Sequence, residues 1–191
     1  MVAPEPGQIG KNIHFLVDFS GSMDNEAIAA AIRQTIDIAS QSVDEINIKV
    51  TVFARGYATW EGIENKKQPG WTALPDAEAI KSLHHWFEVV ELDRGDTLIS
   101  DPTCAALTED IENMTLIVIS DMVFGDGGTF SSSIKRMQEA RNHKATFGFI
   151  GIKLANIAYT KSMLSLSREL GAWVANFARP NKHFELLFFL E

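Results

Sequence analysis

Residues 13–23 read Ile13-His14-Phe15-Leu16-Val17-Asp18-Phe19-Ser20-Gly21-Ser22-Met23. An apolar run, interrupted only by His14, ends abruptly in an aspartate. Such a run, bounded by polar residues, is the pattern of a strand buried on both faces of a parallel sheet. Beyond it, Asp24 to Ser40 carries Ile28, Ala31, Ile32, Thr35, Ile36 and Ala39 at helical spacing, so a helix follows the strand directly. A second run of this kind, Met114 to Ile119, ends in Ser120-Asp121. Two buried strands each running into an aspartate set the frame for everything else.

The remaining chain alternates in the same way. Ile46 to Phe53 reads as a strand, and Tyr57 to Gly62 as a short antiparallel partner joined through Arg55-Gly56. Glu64 to Trp71, with Pro69-Gly70, reads as a loop. Asp76 is placed to cap a helix whose core side is Ile80, Leu83, Phe87 and Trp86. Arg94 to Pro102 reads as a loop, and Thr103 to Asp110 as a short helix. Helices are expected over Ser131 to Asn142 and Thr160 to Leu170, the latter stopped by Gly171. Strands are expected over Thr146 to Ile152 and Ala172 to Phe177, and the apolar tail His183 to Leu190 as a docked terminal helix. Alternation of this kind implies an α/β domain: a doubly wound, mostly parallel six-stranded sheet with one short antiparallel edge strand and helices on both faces. No internal repeat or linker interrupts it, so residues 1–191 are expected to form a single domain.

Composition narrows the function. Apolar residues make up 46% and charged residues 22%, a globular balance that supplies a full core. The net charge of −8 disfavours non-specific nucleic-acid binding, which needs a basic surface. The single cysteine, Cys104, permits no intrachain disulfide and points to a reducing compartment. The opening residues have neither the basic nor the apolar region of a signal peptide. No apolar run is long enough to span a bilayer. The expectation is a soluble, cytoplasmic protein with no membrane contact.

Chemistry is expected where the two apolar strands end. Ligands of open α/β sheets bind outside the carboxyl ends of the strands, at the point where strand order reverses. Asp18, Asp121 and the two serines at alternate positions, Ser20 and Ser22, form an all-oxygen set. Such a set suits a hard cation, Mg²⁺ or Mn²⁺, and not zinc. Gly21 lets the turn between the serines tighten. The positive end of the following helix opposes a cation, and the two aspartates offset it.

With those residues in hand, Asp18-Phe19-Ser20-Gly21-Ser22 directly after a buried strand resembles the D-x-S-x-S signature of the von Willebrand factor A (vWA) domain family. That family carries a metal-ion-dependent adhesion site (MIDAS). The family adds a threonine from a second loop, matched by Thr97, and an aspartate after a later strand, matched by Asp121. The resemblance implies that Ser20 and Ser22 bind the metal through their hydroxyls. It implies that Thr97 binds directly or through water, and that Asp18 and Asp121 act mainly through bridging waters and hydrogen bonds to the serines. Few negative groups then touch the metal, and an aspartate or glutamate of a protein partner completes its coordination. The chain departs from the family twice: Ser120-Asp121-Met122 stands where Thr-Asp-Gly is frequent, and Asp96 where a second glycine often precedes the threonine. A carboxylate at Asp96 adds charge that competes with an acidic ligand.

Other readings are weaker. Asp18, Ser20 and Ser22 alone would make a plain helix cap, but Thr97 and Asp121 would then be coincidences. Gly125-Asp126-Gly127-Gly128 lacks the Gly-Lys-Ser/Thr of a phosphate cradle. His84 and His85 point in different directions on a helix. Trp60, Trp71, Trp86 and Trp173 read as packing residues. An aspartyl-phosphate phosphatase needs a second acid two residues after the first, where Ser20 stands. A serine hydrolase needs G-x-S-x-G. The sequence therefore points to a metal-dependent protein-interaction module and not to an enzyme. The alternative is a scaffold component with a structural metal that makes contacts through a sheet edge or the C-terminal tail; a metal-dependent hydrolase ranks below both.

Overall fold

The computed structural model describes residues 9–63, 70–74, 76–109, 113–126, 136, 139, 146–152, 161, 164, 167–168, 171–178 and 185–188. Among them the chain forms eight strands in one sheet. In chain order the elements are β1 (Asn12–Asp18), α1 (Asn25–Ala39), β2 (Ile46–Phe53), β3 (Tyr57–Thr59), β4 (Thr72–Leu74), α2 (Ala77–Val89), α3 (Ser100–Leu107), β5 (Met114–Ser120), β6 (Thr146–Ile152), β7 (Trp173–Ala178) and β8 (Glu185–Phe188). Arg136 and Glu139 are helical, as are Lys161, Leu164, Ser167 and Arg168. The rest of the helices expected over 131–142 and 160–170 lies outside the described residues.

The sheet order is β3-β2-β1-β5-β6-β7-β8, with β4 also paired to β2. Strands β2, β1, β5, β6 and β7 are mutually parallel. β1 and β5 are buried along their whole lengths, as their uninterrupted apolar runs require. Chain connectivity leaves β1 towards β2 on one side and leaves β5 towards β6 on the other. The adjacent carboxyl ends of β1 and β5 therefore flank the point where strand order reverses.

Each face of the sheet has its own core. Ile13, Phe15 and Val17 of β1 pack with Ile28, Ala31 and Ile32 of α1 and Ala79, Leu83 and Phe87 of α2. Leu16, on the opposite face, packs with Leu116, Val118, Phe149 and Ala106 of α3, with Leu164 against them. The two-residue period of the strand sends successive side chains to these two cores. Asp24 caps α1 and Asp76 caps α2, each carboxylate accepting from N–H groups of the first turn.

Three elements differ from expectation. Strand β4 directly follows the loop read over Glu64 to Trp71, where no element was expected; it pairs antiparallel with the amino-terminal half of β2, while β3 pairs with the carboxyl-terminal half. Three residues are too few for a period-2 pattern to register. Helix α3 starts at Ser100 and not at Thr103. Pro102 sits in its first turn, where a missing N–H breaks no helical hydrogen bond. Finally, the tail is not a terminal helix where it is described. Glu185–Phe188 is an edge strand antiparallel to β7, in register from Ala178↔Glu185 to Ala175↔Phe188. A short apolar run has no readable period, and the open edge of β7 satisfies its backbone hydrogen bonds. The sheet thus has two strands more than the six expected, both antiparallel additions to the parallel centre.

Beyond the helical Ser167 and Arg168, Gly171 adopts φ 61°, and the N–H of Ala172 reaches back to the Ser167 carbonyl at 2.8 Å. This is the left-handed helix terminus expected of Gly171. Trp60, Trp71 and Trp173 are buried and Trp86 packs at the edge of the α1–α2 core. The ring of Trp173 occupies the space where a Cβ on Gly148 would lie.

Candidate functional site

Asp18 is the last residue of β1 and is 0% exposed. An isolated carboxylate in that position would be costly, and both of its oxygens are engaged. Oδ1 accepts from the Ser20 N–H at 2.9 Å, and Oδ2 accepts from the Ser120 hydroxyl at 2.8 Å. Burial pushes the Asp18 carboxyl above its ordinary range. The donors on Ser20 and Ser120 oppose that shift, and the nearby Asp121 charge adds to it.

From Asp18 a line of oxygens leads outwards. The Ser20 and Ser22 hydroxyls are 3.1 Å apart, and the Ser22 hydroxyl donates to Asp121 Oδ2 at 2.6 Å. The short last bond is the kind made to an ionised acceptor. Ser20 is buried, whereas Ser22 is exposed and Asp121 half-buried, so the line runs from the sheet interior to solvent. The turn that carries it is pinned at both ends: Phe19 N–H donates to the Phe53 carbonyl at 2.8 Å, and Met23 N–H to the Ser20 carbonyl at 3.1 Å.

Thr97 reaches the same edge by backbone contacts. Its carbonyl accepts from Gly125 N–H at 2.7 Å, and its neighbour Leu98 donates to Ala54, just past β2, at 2.8 Å. Thr97 itself is buried. Four of the five expected residues are thus joined by side-chain hydrogen bonds, and the fifth is tied to the loop that follows Asp121.

Both departures from the family pattern have structural consequences. Asp96 does not hang free; Oδ1 accepts from Thr97 N–H at 2.9 Å, and the carboxylate fills the space where a Cβ on Gly125 would lie. Met122 adopts φ 64°, the left-handed region where glycine is the unstrained residue. It is held there by its N–H to the Ser120 hydroxyl at 2.9 Å and by burial of its side chain against the α3 face.

Two contributors were not foreseen. Ser120 anchors Asp18 and Met122 together, and its signal in the sequence was only its place before Asp121. Asp126 caps α3 from a distant loop, accepting from Ser100 N–H at 3.0 Å and the Ser100 hydroxyl at 2.6 Å. Residues 26 apart in sequence cannot be paired by local cap rules. Elsewhere, His84 faces Arg33 at 3.4 Å while His85 faces Glu88 at 3.6 Å, so the histidine pair diverges as expected.

Among the described residues no three His, Cys, Asp or Glu side chains form a metal-holding group. A cation at this edge would therefore depend on hydroxyl oxygens alongside carboxylates, and Ser20, Ser22 and Thr97 are the hydroxyls present. Among the described residues no helix is long and apolar enough to cross a membrane.

No protein-family model matches the sequence, and no curated protein matches it significantly. Solved structures do. The chain is similar to a von Willebrand factor type A protein from Catenulispora acidiphila, with TM-score 0.61 and 15% identity, over 88% of this chain and 39% of that one. It is also similar to proximal thread matrix protein 1 from the mussel byssus, with TM-score 0.54 and 13% identity, over 75% of this chain and 38% of that one. The chain spans about two fifths of the length of either structure. At such identities the likeness establishes the fold: a vWA-like α/β sheet.

Proposed function

We propose that this chain is a single-domain, cytoplasmic interaction module that holds Mg²⁺ or Mn²⁺ at the β1–β5 edge and uses it to capture an acidic side chain of a protein partner. One observation carries the reading. Oxygens of Asp18, Ser20, Ser22 and Asp121, drawn from two separate segments, form one connected line at the point where strand order reverses.

The donor chemistry fits a hard cation. Ser20 and Ser22 present hydroxyl lone pairs, Thr97 adds a third hydroxyl, and Asp18 and Asp121 supply charge through hydrogen bonds to the serines. A divalent ion held mainly by neutral oxygens keeps enough positive charge to attract a further carboxylate. Asp18, fixed by Ser20 and Ser120, balances charge without turning outwards. The turn from Ser20 to Met23 fixes where the two serine oxygens sit.

Calorimetric titration with Mg²⁺ and with Mn²⁺ tests the reading. Saturable binding by the parent chain and its loss in Asp18→Ala are the expected results. Absence of binding, or binding that Asp18→Ala leaves intact, refutes it.

A further inference from the structure

The segment between α2 and α3 holds a charge that the metal reading does not use. Asp93, Arg94 and Asp96 lie close together in sequence, and simple neighbour pairing would neutralise the arginine. The structure disposes of both acids otherwise. Asp93 Oδ2 pairs with Arg55 at 2.9 Å and its Oδ1 accepts from Gly95 N–H at 3.0 Å. The Gly95 N–H and the Arg55 guanidinium hold the Asp93 carboxyl below its ordinary range, as expected for a committed anion. Asp96 is bonded to Thr97 N–H and packed against Gly125. Among the described residues, neither acid forms an ion pair with Arg94.

Arg94 instead sits over an aromatic stack. Its guanidinium carbon is 3.8 Å from the centre of the Phe19 ring. Phe19 in turn stacks on Phe87 of α2, with centroids 6.3 Å apart. Phe19 is 1% exposed while Arg94 is exposed, so the guanidinium is the outer layer of the stack. A cation held on a ring face is restricted in motion yet keeps its N–H donors at the rim of its plane. Phe19 lies between Asp18 and Ser20 at the carboxyl end of β1, and its ring packs on the α1–α2 side, so the stack seats this positive group at the same sheet edge as the oxygen line.

We propose that Arg94 is a second recognition point next to the metal site, selecting a partner segment that presents two carboxylates in close succession. The inference rests on the metal-capture reading: one carboxylate goes to the cation and the next to the guanidinium. The planar fork of arginine matches a carboxylate bidentately, and a positive group beside a metal penalises partners whose neighbouring residue is basic. In a chain of net charge −8, an uncommitted guanidinium at this edge is the feature that turns general capture of acids into a preference.

The test uses the purified chain saturated with Mg²⁺ and two capped peptides, one with a single aspartate and one with two adjacent aspartates. Binding is read by calorimetry or competition. The expected result is about fivefold tighter binding of the two-aspartate peptide, the scale of an exposed charge-assisted pair. Arg94→Gln is expected to bring that ratio close to unity. Arg33→Gln, which removes an arginine on α1, is expected to keep it. Equal affinities in the parent, or a preference that survives Arg94→Gln, overturns this inference and leaves metal capture standing. Failure of both peptides to bind the Mg²⁺-loaded protein overturns metal capture and this inference with it.

Discussion

His14 and Asp18 lie on the same face of the same strand, separated by Leu16, and they solve the problem of burial in opposite ways. His14 sits in the middle of β1 and is 2% exposed. Its Nε2 is 2.9 Å from the Thr51 hydroxyl, which is itself 2.9 Å from Thr59. The ring meets Trp71 edge-on, and Nδ1 lies 3.6 Å from Glu109, whose carboxylate is paired with Lys49 at 2.8 Å. Burial, aided by the Lys49 charge, brings the imidazole down to about 3, so it stays neutral. Asp18 is equally hidden but sits at the strand end, where Ser20 and Ser120 supply donors and a line of oxygens continues to solvent. The first group finds its hydrogen bond on the neighbouring strand β2, at Thr51; the second finds its partners at the sheet's carboxyl edge, at Ser20 in the turn beyond β1 and at Ser120 at the end of β5. A polar group inside a strand is there for the fold, and one at its carboxyl end is available to a ligand.

The comparison breaks first at Asp18. Asp18→Asn keeps the shape and removes the charge. It is expected to weaken Mg²⁺ binding by about 100-fold or more, the upper range for groups that orient and charge a metal site, as read by calorimetry. In EDTA at neutral pH the same variant is expected to be at least as stable as the parent in urea unfolding, because burial already disfavours the Asp18 charge. A marked loss of metal-free stability would mean that Asp18 serves the fold as His14 does.

His14→Ala is expected to behave in the reverse manner. It removes a buried ring and leaves Thr51 short of a partner, which costs about 2–4 kcal/mol in urea unfolding. Mg²⁺ affinity is expected to be unchanged. Acid sharpens the same contrast. The folded imidazole titrates at about 3 against an ordinary 6.5, so between those values the unfolded chain binds the proton and the folded chain does not. The stability tied to His14 is fully present above pH 6.5 and is lost as pH falls towards 3. Unfolding free energies measured across that window should slope less steeply in His14→Gln than in the parent. The smallest effect is expected at Asp126→Ala, which uncaps α3 and should cost about 1 kcal/mol in thermal or urea unfolding.

Much of the site was readable because its signals are local. Asp18, Ser20 and Ser22 fall within five residues of a buried strand's end, and Asp121 ends the other apolar run. The contributions that escaped reading are those made across the chain. Ser120 bonds to a residue 102 positions away, and Asp126 caps a helix that begins 26 residues earlier. Arg94 escaped because its neighbours in sequence, Asp93 and Asp96, suggest a neutral cluster; only the pairing of Asp93 with Arg55 leaves the guanidinium over. The same distinction separates the fold elements. The parallel strands announced themselves by composition, whereas β4 and β8 are short and exist because an open strand edge was there to pair with.

Taken alone, the sequence determined the alternation of strand and helix, the two central strands and the aspartates that end them. Hydrophobic periodicity acts residue by residue and needs no distant partner. Strand order, the junction of Asp18 with Ser120, the cap on α3 and the seat of Arg94 on Phe19 were decided only in three dimensions. Each depends on which backbone donors and acceptors remain unpaired once the sheet has formed, and that is a property of the assembled fold.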